Sequence, residues 1–348
     1  MAVLSKPDAF AALRYREFRA LIGGNFLLTV ALLIQEVALA YELYRITHDP
    51  LVLGLIGLAE ALPFMGLALF GGHLADRREK RALIRISIAV MLLGSLVLWW
   101  AVGAALEQNT LLWVVYGVIA LIGLARGIYS PSASALKGFL VPREIIGNAA
   151  TWSSTLWQAG AVLGPASAGF LIAHLGMGQT LILVIVLIAL SMSLTVFIAP
   201  RLPPPAPEQY ENLWQSLREG IEYVRGSKII LYSISLDMFS VLFGGVVAIL
   251  PVFAEDILRA GPQGLGILRA APAVGAMLTI LVCAWYPPFR HAWRNLLVVV
   301  LGFGIATLIF AVSQNFWLSA AALFLTGAFD SVSVVIRSTI LQTIPPEH

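Results

Sequence analysis

The chain is built of apolar runs of about twenty residues separated by short polar stretches. About twenty apolar residues are what a helix needs to cross the hydrocarbon core of a bilayer. Each run therefore predicts one span, and ten fit, at roughly 20–44, 51–72, 83–105, 111–135, 151–173, 179–199, 229–253, 264–286, 294–313 and 316–340. Most connections are as short as THDP (47–50) or SQN (313–315), so neighbouring spans are expected to be antiparallel hairpins. The first run is too long for the core of a signal peptide and lacks a small-residue cleavage site after it, so it reads as a retained span. One connection differs. Residues 200–228 open on the breaker RLPPPAPE and continue as QYENLWQSLREGIEYVRGSK. There Leu213, Trp214, Leu217, Ile221 and Val224 share one helical face, the pattern of an amphipathic helix lying on the membrane surface. A plain linker fits the same residues.

Composition supports membrane spans over a soluble core. Apolar residues make up 59% of the 348 and charged residues 12%, against about 45–50% and 25% in soluble domains. Mean hydropathy is +0.88. The fold class expected is an all-α polytopic membrane protein, its first partner the lipid bilayer. The net charge of +3 lies in short clusters between apolar runs, which argues against a nucleic-acid partner. A single cysteine, Cys283, excludes an intrachain disulfide.

Basic residues set the expected orientation, because Lys and Arg accumulate on the cytoplasmic side. With the N-terminus inside, seventeen fall in inside segments, from Lys6 through the Arg77–Arg85 cluster to Arg294. Three, Arg45, Arg259 and Arg269, fall outside. The stretch DRREKR, Asp76 to Arg81, is then a cytoplasmic turn between spans two and three.

Five charges lie well inside spans: Glu36, Glu60, Arg126, Asp237 and Asp330. Arg337 sits near the end of span ten, where it can snorkel. A central charge costs roughly +2.5 to +3.5 kcal/mol on insertion scales, so five facing lipid would cost on the order of 12–17 kcal/mol. They are expected to face one another or a water-filled cavity. Spans one, four, seven and ten each carry one such charge and span two adds Glu60, which suggests a polar lining drawn from every third helix.

These residues carry a family resemblance. Gly72-His-Leu-Ala-Asp76-Arg77-Arg-Glu-Lys80-Arg81 resembles the loop 2–3 signature of the major facilitator superfamily, at the expected place. Glu79 replaces the usual glycine, so a less tight turn is expected. In span five, Gly160, Gly164, Pro165 and Gly169 match a motif associated with proton-coupled antiporters, with Ala168 in place of one glycine. Arg126 resembles the arginine of the span-four motif, without the Gln-Gly that usually follows. The segments 35–47, 57–64, 261–272 and 334–347 look similar to the enterobactin-exporter-like branch.

The resemblance implies a two-half helical bundle of twelve spans, of which this chain holds about ten, so a fragment or shortened variant is expected. Residues 1–199 form a six-helix half, 200–228 a cytoplasmic linker, and 229–348 a four-helix half. In the family Asp76 bridges toward helix eleven, a partner this chain would lack. The function implied is secondary active transport: proton-coupled export of a siderophore-like or amphiphilic small molecule, by a monomer in the inner membrane. A proton gradient would supply the energy, and no cofactor is expected. An uncoupled facilitator or importer, or a non-transporting scaffold or sensor, stay open.

Each motif also has a structural reading. Gly160, Gly164 and Ala168 recur every four residues, as close helix packing requires. Arg126 can hold an ion pair with Glu36 or Glu60 instead of a ligand. The carboxylates can serve as static interhelical hydrogen bonds. Asn25, Gln35 and Gln158 read as interhelical glue, Trp99, Trp100, Trp113 and Trp317 as interfacial anchors, and Trp157 as a cavity-lining candidate. The five histidines lack metal-ligand spacing, and no phosphate-binding loop, H-E-x-x-H or G-x-S-x-G occurs, so no metal, ATPase or hydrolase chemistry is expected.

Overall fold

The computed structural model describes residues 8–104, 106–201, 245–285 and 292–343, with isolated positions between 222 and 238. Span seven, Asp237 and the expected amphipathic helix lie largely or wholly outside them. Among the described residues every regular element is helical. The chain gathers into two compact units, residues 1–205 with Gly261–Gly266, and 206–260 with 267–348.

The first unit holds α1 (Arg16–Thr47), α2 (Pro50–Arg77), α3 (Lys80–Gly103), α4 (Gln108–Leu140) and α5 (Ile146–Leu194). Local chemistry sets their ends. His48 closes α1 in the left-handed region (φ 49°), donating its N–H to the Tyr44 carbonyl. Asp49 then caps α2, its Oδ1 accepting from Leu51 N at 2.9 Å, with Pro50 in the first turn where its missing N–H costs nothing. The turn between α2 and α3 is only Arg78 and Glu79, both extended. Glu79 sits at φ −63°, ψ 115°, open to any residue, so the looser turn expected from the missing glycine does not arise.

The break expected near 174–178 narrows to one residue. Helical hydrogen bonding runs through 146–194, yet Gly176 stands at φ 76°, ψ 171°, a conformation tolerated by glycine alone. The two arms of α5 are spans five and six. Among the described residues eight helices are long and apolar enough to cross a membrane, and the bent α5 supplies two of the expected spans. Nine of the ten expected spans are thus seen.

α1 is the most buried helix of this unit, packed along α5, while α2 packs on α4 and α3 on α4 and α5. In lipid, tight packing rather than hydrophobic exclusion holds helices together, and small residues let backbones touch. Gly123 of α4 lies against the Glu60 backbone, and Gly71 of α2 against the Gly127 carbonyl. A Cβ at either would overlap those atoms.

The second unit holds most of α6 (Gly261–Trp285), α7 (Ala292–Val312) and α8 (Phe316–Thr343). Leu296 and Val299 of α7 form a small core with Ile336, Phe329 and Val332 of α8. Gly275 of α6 meets the Phe324 carbonyl, and Gly327 of α8 meets the Pro272 backbone.

Glycine to alanine normally stabilises a helix by up to about 1 kcal/mol. Gly57→Ala, with open space around it, is expected to hold or raise the melting temperature of the detergent-purified protein. Gly123→Ala should lower it, by an overpacking cost of about 1–3 kcal/mol. A thermal melt of the two variants checks the sign.

Candidate functional site

The clearest constellation in the first unit is carried by the α2–α4 crossing. Gly123 brings the α4 backbone onto Glu60, and Arg126, three residues on, donates from Nη1 to Glu60 Oε1. The side chains remain 24% (Glu60) and 41% (Arg126) accessible, so the pair is not sealed in a dry core. Of the two partners open to Arg126 in the sequence, Glu60 is seen to hold it. Tyr129, one turn further along α4, donates its hydroxyl to Asn25 Oδ1 on α1. Two polar rungs therefore tie α4 to α2 and to α1. Glu36 lies half-buried three turns along α1 from Asn25.

Other polar groups behave as interhelical glue. Ser95 donates to Gln35 Oε1 at 2.6 Å in a fully buried contact between α3 and α1. Ser191 donates to the Gly24 carbonyl at 2.8 Å. Among the described residues no group of three His, Cys, Asp or Glu could hold a metal ion.

The loop 2–3 residues split by environment. Lys80, first residue of α3, is buried at 5% exposure with its ammonium 5.1 Å from the centre of the Phe139 ring. Arg81 buries Nε with no hydrogen-bond partner among the described residues. Arg77 is exposed, Gly72 has open space around it, and the Asp76 side chain lies outside the description. Nearby, Arg85 donates to Thr195 Oγ1 at 2.9 Å and Arg201 to Glu17 Oε2 at 2.9 Å, joining the starts of α3 and α1 to the end of α5.

The span-five glycines form a contact face. Gly160 lies against Thr29, and Gly164 against Leu33 and the Val30 carbonyl, so this stripe of α5 seats on α1. Pro165 and Ala168 are buried beside it. Gly169 meets Pro262 and Gly266, which belong to the same unit.

In the second unit Asp330 is exposed on α8 and Arg337 half-exposed two turns on. Arg269, counted outside by the charge rule, instead lies in the third turn of α6 and donates from Nη1 to the Val247 carbonyl at 3.4 Å. The sequence reading also left Tyr129 unmarked. Its spacing of three from Arg126 was the available signal, because that places both on one helical face. Trp157 is 60% exposed and the four expected anchor tryptophans are also exposed.

Apolar helices long enough to span a bilayer, crossing one another through glycine, define a polytopic membrane protein. The comparisons specify the family. The profile of the Major Facilitator Superfamily matches residues 21–348, and the chain belongs to that superfamily of transporters. It is 27% identical over 335 residues to the enterobactin exporter EntS of Shigella flexneri, covering 95% of this chain and 78% of that one. EntS of Escherichia coli O157:H7 (strain EC4115) gives the same figures. Among solved structures, a bacterial homologue of the human lysosomal transporter Spinster, inward-facing and unoccupied, superposes with TM-score 0.67 at 16% identity, covering 98% of this chain and 77% of that one. A D-xylose–proton symporter superposes with TM-score 0.64 at 14% identity, covering 97% and 84%. The fold is that of an all-α, multi-pass major facilitator transporter.

Glu60→Gln or Arg126→Gln alone leaves one charge without its partner and is expected to cost on the order of 1–3 kcal/mol. Removing both should cost less than the sum. Thermal melts of the two single variants and the double give the coupling directly.

Proposed function

We propose that the chain is a secondary active transporter that exports a siderophore-like or amphiphilic small molecule against proton influx, by alternating access of two halves, 1–199 and 229–348, joined by 200–228. The observation that carries this reading is the Glu60–Arg126 pair, held within apolar helices yet still accessible at both side chains. An arginine stays charged at any physiological pH, whereas a carboxylate can take up a proton. The pair thus offers a permanent cation and a titratable anion where an amphiphile crosses the membrane. Similarity to EntS over 95% of the chain supports export and this substrate class. Glu36, Asp237 and Asp330 are the further cavity carboxylates of the proposal, with Glu60 and Arg126 on the first-half side.

The protein is proposed to sit in the inner membrane as a monomer with its N-terminus cytoplasmic. The inside count of Lys and Arg supports that orientation. Gly72, Asp76, Arg77, Lys80 and Arg81 then lie at the cytoplasmic face. Gly160, Gly164, Pro165 and Gly169 act as the tight seam that limits proton leak.

The test is efflux of enterobactin from proteoliposomes loaded with it. An acidic exterior is expected to accelerate efflux, and a protonophore to abolish the acceleration. Asp237→Asn and Asp330→Asn should each lower gradient-driven efflux at least tenfold. Unchanged efflux in both would remove these carboxylates from the mechanism. Wild-type efflux indifferent to the gradient would make the protein an uncoupled facilitator, and no efflux of enterobactin would reject it as a substrate.

A further inference from the structure

The two units repeat one another in sequence, with the charges exchanged. Residues 57–66 read Gly57-Leu-Ala-Glu60-Ala-Leu-Pro63-Phe-Met-Gly66, and residues 266–275 read Gly266-Ile-Leu-Arg269-Ala-Ala-Pro272-Ala-Val-Gly275. Both glycines, the alanine and the proline coincide, and the charge falls at the same place with opposite sign. The partner helices repeat too. Trp113, Leu121 and Gly123 of α4 match Trp317, Leu325 and Gly327 of α8 in register, and Arg126 then matches Asp330. Parallel repeats of this kind relate the two halves of such transporters. Here they set Glu60 and Arg126 against Arg269 and Asp330.

The packing repeats as well. Gly123 seats α4 on the backbone of α2 at Glu60, and Gly327 seats α8 on the backbone of α6 at Pro272. Six residues separate the end of α6 from the start of α7 and three separate α7 from α8, so α7 runs back between them and α6 and α8 run the same way. With 3.6 residues per turn, Arg269 lies about 100° around α6 from the Pro272–Gly275 contact. Asp330 lies a similar angle around α8 from the Phe324–Gly327 contact, and the two angles open on one side of the pair. Phe329, the neighbour of Asp330, turns the other way onto Gly302 of α7. The second crossing is slipped along the helices by about one turn. Arg269 lies one to two turns before its contacts and Asp330 one to two turns after, roughly 13 Å along the helices, whereas Glu60 lies at its contact and Arg126 one turn after.

We propose that Arg269 is the charge partner of Asp330, and that the two form a second, charge-inverted copy of the Glu60–Arg126 site. Arg269 is a positioning residue. Anchored by the Val247 carbonyl, it supplies a fixed positive charge on the side of the helix pair to which Asp330 also turns. Each half then contains one permanent cation and one titratable acid, with the helix that bears them exchanged. The cation stands on α4 and the acid on α2 in the first half, the acid on α8 and the cation on α6 in the second.

The pairing is testable without substrate or coupling ion, so its failure is separate from failure of the transport reading. Thermal melts of the full chain in detergent would compare Arg269→Gln, Asp330→Asn, the double, the exchange R269D/D330R, and Arg269→Lys, with E60R/R126E as the first-half reference. Each neutralised single is expected to lose about 2–4 °C, the double no more than the worse single, and the exchange and Arg269→Lys to recover most of the loss. Singles that fail to fold alongside an exchange that folds would support the pairing equally. Additive losses, unshifted singles, or an exchange no better than the singles while E60R/R126E recovers would overturn it.

Discussion

Arg126 is the constraint from which the first unit follows. A guanidinium cannot shed its proton to escape an apolar environment, so a helix that carries one in mid-span must bring it a carboxylate. Glu60 meets that need only if α2 and α4 come closer than ordinary side chains allow. Gly123 removes the obstruction at the level of Glu60, and Gly71 with Gly127 removes it at the far end of the contact. The ion pair and the glycines are thus one device. Without the pair a close crossing would serve packing alone, and without the crossing the charge would lack its partner.

Three other polar contacts follow the same logic at lower cost. Hydrocarbon offers no hydrogen bonds, so a buried donor or acceptor is stabilised by a partner within the protein. Asn25 with Tyr129, Gln35 with Ser95 and Ser191 with the Gly24 carbonyl each join two helices. All three converge on α1, the most buried helix of the unit, where two of them satisfy the polar side chains of Asn25 and Gln35 and the third a backbone carbonyl. Near the start of α1 the contacts pass to charged groups. Arg201 with Glu17 and the Arg16 guanidinium 4.6 Å from the centre of the Phe197 ring fasten the end of α5 to that start. Part of the basic excess that sets the expected orientation therefore also has a packing role.

Nine of the ten spans, their short connections and the membrane class were legible in the sequence because they depend on length and apolarity alone. The junction of spans five and six was legible only as a region. Which of its glycines would take the positive φ is decided by how the two arms seat, and it falls to Gly176. The in-span charges were legible as a set, but the choice between Glu36 and Glu60 for Arg126 depended on a backbone crossing that no charge pattern encodes. Glu79 was misleading for a related reason. A missing glycine suggests a looser turn only if the turn needs positive φ, and the two extended residues between Arg77 and Lys80 do not. Asp237 and the linker fall outside the described residues, so their placement stays with the sequence.

The loop 2–3 signature also gains a structural component independent of any partner for Asp76. Its glycine-rich approach begins at Gly71, where α2 touches α4, and its Lys80 is buried against Phe139 near the end of that same α4. A two-residue turn joins these anchors, so α2, α3 and α4 are fixed to one another where the charge cluster sits. Basic side chains such as Arg77 and Arg78 can then project outward from a rigid corner while Lys80 and Arg81 bury their stems within it. The concentration of charge in so apolar a chain follows from that geometry. The corner must be held by its apolar stems and kept out of the bilayer by its charged heads, and Lys and Arg are the residues that supply both.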